Sequence, residues 1–447
     1  MTTATRRTPV KGGTATSLDL STFKLPVSVD QHAVRFEHEG RILRAFRGDG
    51  AALIRRLIES PAAERIFEAG LARSWISPMT VDGFDLVVES ERVPFVTYPV
   101  EWPTVMLREA AMVTARVGRA LAPLGLTLSD AHPWNVLFDG PRGVFVDLGS
   151  IVAGDKVRPQ WEREFRAHFA IPLALHARRW HSLADATVSE DRVRGAKAFF
   201  DGDRIRRFFP WGYRRVSRGP RTTAAYFNRL VAYVDALPAR PTPTKWSKYV
   251  QAPHSTVGDE AGYDQKQGSV DTFLRGLAPG SVLDVGANAG WFSELAVHHG
   301  HRVVALDPDD VTIGKLYERA RAVELPITSL RMDIMFPTPA HGLALAYEAA
   351  PARLRCDASL WLAVIHHLAR DGYRWELVAG VIDAFTGEAA AVEFVPAEDA
   401  HLKEWPVARE PWFTQERFIA AMSRYFPVVE VLPSSPAPRT LLVFRRR

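Results

Sequence analysis

The chain has one cysteine, Cys356, among 447 residues. A single thiol excludes an internal disulfide framework, and no Cys/His pairs stand at zinc-ligand spacing. Long apolar runs are missing too, and none approaches the ~20 residues that a membrane-spanning helix needs. Residues 1–28 lack an apolar core of the signal-peptide kind and read as a flexible polar leader. No internal repeat is visible. Charge of either sign is nearly balanced, with Lys+Arg 56 against Asp+Glu 51 and a net +5. What remains is an ordinary globular composition, 47% hydrophobic and 24% charged, with a cytoplasmic address expected. The length suits two or three domains.

The dinucleotide fingerprint G-x-G-x-x-G is also absent. In its place stands "VLDVGANAGWFS" (282–293). An apolar run ends at Asp284, and Gly286, Asn288 and Gly290 follow at alternate positions. Trp291 and Phe292 then open a new apolar segment. This pattern predicts strand, tight loop and helix. Glycines let the backbone approach a ligand, and the helix points its first amides into the loop. An acid at the strand end repels a pyrophosphate but suits a ligand with a cationic amino group. S-adenosyl-L-methionine (SAM) is such a ligand. The next apolar run, "HRVVALDPDD", ends at Asp307, placed to accept two hydrogen bonds from ribose hydroxyls. "ITSLRMDIM" sets Asp333 after a third short strand, within reach of an adenine amino group. Three acids at successive strand ends outweigh one glycine loop; the alternative is a generic α/β sheet with acids in its loops.

Residues 263–447 thus resemble a class I SAM-dependent methyltransferase. Asp284, Gly286, Asn288 and Gly290 match the family's first motif and Asp307 its second, with Asp333 at the adenine-contact position. "RCDASLWLAVIHHLA" (355–369) resembles the fourth strand, "AAAVEFVP" (389–396) the fifth, and residues 427–446 the closing antiparallel hairpin. The resemblance implies an α/β fold: a Rossmann-like, seven-stranded, mostly parallel sheet with helices on both faces. It also places His366 and His367 beside the methyl group. An imidazole with its ordinary pKa near 6.5 can act as base toward a hydroxyl acceptor. Adjacent residues face different directions, so one histidine is expected to reach the acceptor while the other packs or caps. Both histidines serving structure alone is the competing reading. Glu393 and Asp399 flank the end of the fifth strand, Glu393 read as buried and paired.

Upstream, residues 29–236 read as a separate α+β domain, joined by a proline-spaced linker over 237–262. "AVRFEHEGRILRAF" (33–46) predicts a hairpin turning at Glu39-Gly40. A helix is expected over 50–72, broken near Pro61, and a strong amphipathic one over 103–125. In "LSDAHPWNVLFDGPRGVFVDLGS" (128–150), Asp130, Asn135 and Asp147 stand at a spacing that resembles the catalytic loop and metal motif of protein-kinase-like phosphotransferases. That resemblance implies a hydroxyl-orienting acid at Asp130 and a metal position at Asn135 and Asp147. No His-Arg precedes Asp130, no glycine-rich phosphate loop lies upstream, and the first hairpin offers Arg44 but no lysine. A degenerate, kinase-like domain with a vestigial metal position is the expectation. The motif order across 30–446 resembles a bacterial family of long methyltransferases, some named for nodulation. A tryptophan-rich stretch expected after the third acid is replaced by "TPAHGLALAYE" (338–348).

Function stays divided at this point. O-methylation of a small molecule or glycan is favoured by the histidines. A tRNA- or rRNA-modifying methyltransferase is the second reading. It rests on residues 204–250, with eleven Arg or Lys against one acid, Asp235, and on arginines interleaved with Phe208, Phe209, Trp211 and Tyr213. A solvated basic face is the plainer account of that stretch. A scaffold that binds SAM or a nucleotide without catalysis is the third, and the intact acids Asp284 and Asp307 speak against it.

Overall fold

A computed structural model describes residues 16–23, 25, 33–188, 211–248 and 255–447. In the N-terminal half, β1 (Ala33–His38) and β2 (Arg41–Phe46) pair as an antiparallel hairpin. Its turn residues Glu39 and Gly40 are both left-handed, φ 49° and 73°, which suits the twist of the flanking strands. β3 (Ser74–Ile76) and β4 (Leu86–Ser90) complete a four-stranded sheet in the order β1-β2-β4-β3. The helix α1 (Gly48–Ile58) turns Ala51, Ile54 and Leu57 inward, three-residue spacing that keeps them on one face. A second helix, Ala63–Glu68, follows beyond Pro61.

Part of the leader is anchored. Ser17–Leu18 pairs in parallel with Thr80–Val81, and Leu18 is buried with Phe36, Leu43 and Val87. Leu18 and its neighbours Leu20 and Phe23 cover an apolar sheet face that water would otherwise meet. Residues 1–15 lie outside the described residues.

The long amphipathic helix α2 (Thr104–Leu121) ends in a 3-10 turn closed by left-handed Gly125, φ 67°. A short ribbon, β5 (Val136–Asp139) and β6 (Arg142–Phe145), packs beside it. The helix Thr223–Asp235 lies against α2, its Phe227 filling the space over Gly118, where a methyl group would collide.

The C-terminal half opens with α3 (Gln265–Arg275), capped by Asp264 and Gln267 in a reciprocal capping box. Its strands are β7 (Ser281–Val285), β8 (Arg302–Asp307), β9 (Ile327–Arg331), β10 (Cys356–Trp361), β11 (Thr386–Phe394), β12 (Val428–Pro433) and β13 (Thr440–Arg445). They form one seven-stranded sheet in the order β9-β8-β7-β10-β11-β13-β12. Pairings from β9 to β11 are parallel, and both pairings of β13 are antiparallel. The parallel strands are almost wholly buried, which is why they read as continuous apolar runs rather than alternating ones.

The two halves share one core. Trp102, Phe138 and Tyr317 pack edge to face with centroids 5.0 and 6.2 Å apart, and the Tyr317 hydroxyl donates to the Pro141 carbonyl at 3.0 Å. Arg353 reaches across to Glu101 at 2.5 Å, with side chains 3% and 1% exposed, and lies 3.6 Å above the Tyr98 ring. Among the described residues no helix is long and apolar enough to cross a membrane.

Candidate functional site

The sheet order builds a crevice. From β7 the chain steps outward through β8 to β9, then returns to β10 on the other side of β7. Loops leaving β7 and β10 therefore diverge, the place where open α/β sheets take ligands. The loop after β7 is wound with left-handed residues, φ 69° at Gly286, 49° at Asn288 and 84° at Gly290. A Cβ on Gly286 would lie 2.7 Å from Cγ2 of Val364 in the loop after β10. Glycine there lets the two loops touch. Gly290 then caps α4 (Trp291–His298).

Asp284 is 3% exposed and accepts a hydrogen bond from Ser293 Oγ at 2.6 Å. Burial raises its pKa to about 6; the Ser293 bond works against the rise and the Asp307 charge adds to it. Asp307, at the end of β8, accepts from the Asn288 amide at 3.0 Å and from the Asp309 amide at 2.8 Å, one on each oxygen. Burial outweighs these bonds and lifts its pKa to about 6 as well. Each carboxylate oxygen keeps a lone pair for a ligand. Asp284, Gly286, Asn288, Gly290 and Asp307 thus come together at one crevice. Asp333 lies two residues beyond β9, exposed, accepting from the Met335 amide at 3.0 Å.

Two further acids follow Asp307. Asp309 accepts from Ser247 Oγ at 2.6 Å, from Thr244 Oγ1, and from the amide and hydroxyl of Thr312 at 2.7 and 2.8 Å. Burial pushes its pKa up, but the Ser247, Thr244 and Thr312 hydrogen bonds prevail and hold the carboxyl below the usual range. Asp310 accepts from Thr104 N at 2.9 Å, Thr104 Oγ1 at 2.7 Å and Thr242 N at 2.6 Å. One stretch, "LDPDD", thereby meets the crevice, the linker and the start of α2. Sequence reasoning singled out neither acid; the signal was a run holding more carboxylates than a ribose uses.

The histidines depart from expectation. His366 and His367 open α5 (Ile365–Arg370), and their rings lie side by side, centroids 4.2 Å apart, rather than facing different ways. Helical neighbours leave the axis about 100° apart, and both rings turn toward Trp405, at 5.7 and 5.3 Å. Their basicity is not ordinary either. Burial, with the His367, Arg439 and Lys266 charges, pushes His366 down to about 2. Burial together with Arg370 and Lys245 takes His367 to about 4. Neither Nδ1 has a hydrogen-bond partner among the described residues, and His366 is 6% exposed.

Glu393 is fully buried, paired with Lys266 Nζ at 2.9 Å and accepting from Ser434 Oγ at 2.7 Å. Asp399 is gripped by Arg439 at 2.7 and 3.2 Å. Lys266 and Arg439 carried no sequence signal, since each lies far along the chain from the acid it meets. Cys356 is 1% exposed and burial pushes its thiol to about 12, leaving it unreactive at neutral pH.

In the N-terminal half Asp147 accepts from Arg44 Nη1 at 2.5 Å and from the Gly149 amide at 3.1 Å. Asp130 accepts from Ser129 Oγ at 2.8 Å. Asn135 is buried, and its Nδ2 has no partner among the described residues. No cluster of three or more potential metal ligands occurs among the described residues. Of the basic stretch, Arg206, Arg207, Phe208 and Phe209 lie outside the described residues. Tyr213 is buried, its hydroxyl 3.2 Å from that of Tyr226, and Arg221 pairs with Glu162 at 2.7 Å. A buried ring offers no face to a base.

No protein-family model matches the chain. In sequence it is 25% identical over 464 residues to the nodulation protein NoeA of Rhizobium meliloti (strain 1021), covering 93% of this chain and 90% of that one. Solved structures give weaker likenesses. WbdD, described as a bifunctional kinase-methyltransferase, matches at 16% identity and TM-score 0.33, over 43% of this chain and 43% of its own. The N-methyltransferase NodS from Bradyrhizobium japonicum WM9 matches at 17% and 0.30, over 40% of this chain and 94% of its own. Such scores carry no argument about this chain. The NoeA likeness runs almost end to end, over both halves of the chain.

Proposed function

We propose that the chain is a SAM-dependent methyltransferase of two domains, the C-terminal one (263–447) carrying the transfer. The observation that carries this reading is the meeting of Asp284, Asp307 and the left-handed 286–290 loop at the switch point of the sheet. In this reading Asp307 takes the ribose hydroxyls, the buried Asp284 faces the methionine end, and Asp333 lies toward the adenine. Methyl transfer needs an aligned acceptor and a dry site more than strong base chemistry. Uncharged imidazoles fit that need. An imidazole nitrogen of His366 or His367 accepts a hydrogen bond from the acceptor hydroxyl and aims its oxygen at the sulfonium methyl; as the O–CH3 bond forms and the S–CH3 bond breaks, the hydroxyl proton leaves along that hydrogen bond and passes on to water. The acceptor class is a hydroxyl of a small molecule or glycan.

The N-terminal domain (29–236) we read as kinase-like without phosphoryl transfer. Arg44 sits on the acid that would hold a metal, and its positive charge leaves little reason for a divalent cation to bind there. Turnover of methyl-labelled SAM to S-adenosylhomocysteine with a mixture of hydroxylated small molecules and glycans tests the function. The intact chain labels a product and Asp284→Asn does not; equal labelling by both would discard the site.

A further inference from the structure

The linker does more than join the halves. Residues Lys245–Lys248 form a 3-10 turn, held down by the Thr244 and Ser247 hydroxyls on Asp309. That turn carries Trp246 onto His367, ring centroids 5.0 Å apart and steeply inclined. Trp405 also lies beside both histidines. Two indoles therefore pack against a pair of neutral imidazoles. The rim is cationic. The exposed Lys245 ammonium lies 4.9 Å from the Trp246 ring centre and has no ion pair among the described residues. Arg370 lies 4.9 Å over the Trp405 ring and touches one acid, Asp371, itself half exposed at 53%. On the fifth-strand side, Glu393 and Asp399 are already paired with Lys266 and Arg439.

We infer that the linker turn is the outer wall of the acceptor site, and that Trp246, Lys245 and Arg370 select a hydroxylated acceptor bearing a negative charge. This rests on the methyltransferase reading. The flat faces of Trp246 and Trp405 hold a ring of the acceptor, either aromatic or the apolar face of a sugar. Lys245 and Arg370 hold its anionic group, and the hydroxyl points to the imidazoles. An uncharged analogue loses the two cations, and a cationic one meets them as like charges. The clamp on Asp309, next but one to Asp307, ties this wall to the cofactor crevice.

The test uses the full chain saturated with S-adenosylhomocysteine and two matched pairs of probes. These are 4-hydroxybenzoate against 4-hydroxybenzamide, and glucuronate against methyl glucoside, so the pairs separate an aromatic from a sugar ring. Titration calorimetry is expected to find the anion of one pair bound at least about tenfold tighter than its neutral partner, as one charge-assisted contact provides. Lys245→Ala and Arg370→Ala should each reduce that preference, and Trp246→Ala should weaken both members of the pair. SAM affinity should stay within about threefold of the parent in all three variants, since none touches the cofactor crevice. Equal binding of the members of both pairs, or binding of none, with SAM binding intact, would overturn the inference alone. Loss of SAM binding by the parent chain would instead remove the methyltransferase reading beneath it.

Discussion

Asp309 donates its backbone N–H to Oδ1 of Asp307 at 2.8 Å, while its own carboxylate holds the linker through Thr244 and Ser247. One peptide segment thus orients the acid assigned to the cofactor and fixes the wall assigned to the acceptor. Asp309→Ala is expected to release the turn, lowering transfer more than SAM affinity. Unchanged kcat/KM in this variant would show that the turn has no part in the site.

Acidity follows from the raised carboxylates. Asp284 and Asp307 both titrate at about 6, above the ordinary Asp value. Below that pH each gains a proton and stops attracting the cationic end, or accepting fully from the ribose, of SAM. Affinity should therefore fall as pH drops through 6, by about tenfold per unit per carboxylate. Affinity that is flat between pH 7 and 5, measured by calorimetry, would contradict the assignment.

The histidines make a separate forecast. With His366 at about 2 and His367 at about 4, both are uncharged through the working range, and no imidazole titration should shape the rate between pH 6 and 8. His366→Ala and His367→Ala should each slow transfer by roughly 10–100-fold, the worth of one orienting hydrogen bond, with SAM affinity retained. Full activity in both variants would remove the imidazoles from the mechanism.

Across the shared core, Arg353 and Glu101 form a buried pair. Arg353→Ala would leave the Glu101 carboxylate buried without its partner, at a cost of about 3–5 kcal/mol. Thermal unfolding should move to clearly lower temperature. An unchanged midpoint would mean that the two halves do not depend on this contact.

In the N-terminal half, magnesium with ADP should leave the unfolding temperature of the parent chain unchanged, because Arg44 already satisfies Asp147. A concentration-dependent rise would signal a nucleotide site and contradict the reading that Arg44 closes Asp147 to a magnesium-bound ligand.

Much of this was legible in the chain. The three strand-end positions and the Glu39-Gly40 turn stand where periodicity and glycine placement put them, because those signals are local, and the closing hairpin stands where the family resemblance implies it. What escaped the sequence was long-range. Lys266 meets Glu393 across 127 residues, and Arg439 meets Asp399 across 40; no local pattern marks such partners. The linker's role escaped for the same reason, since its prolines suggest a spacer while two of its hydroxyls and one backbone N–H find acids 62–68 residues away. The histidines follow the fourth strand, but their rings do not face different directions as adjacency suggests, because helical spacing describes where side chains leave the backbone and both rings pack toward Trp405.

The most direct measurement is SAM binding by titration calorimetry, comparing the intact chain with Asp307→Ala. Losing the carboxylate should cost about 1.5–3 kcal/mol for each charge-assisted hydrogen bond to the ribose. The account predicts saturable binding by the intact chain that weakens by at least tenfold in the variant. Equal affinity in the two, or no binding by the intact chain, would contradict it.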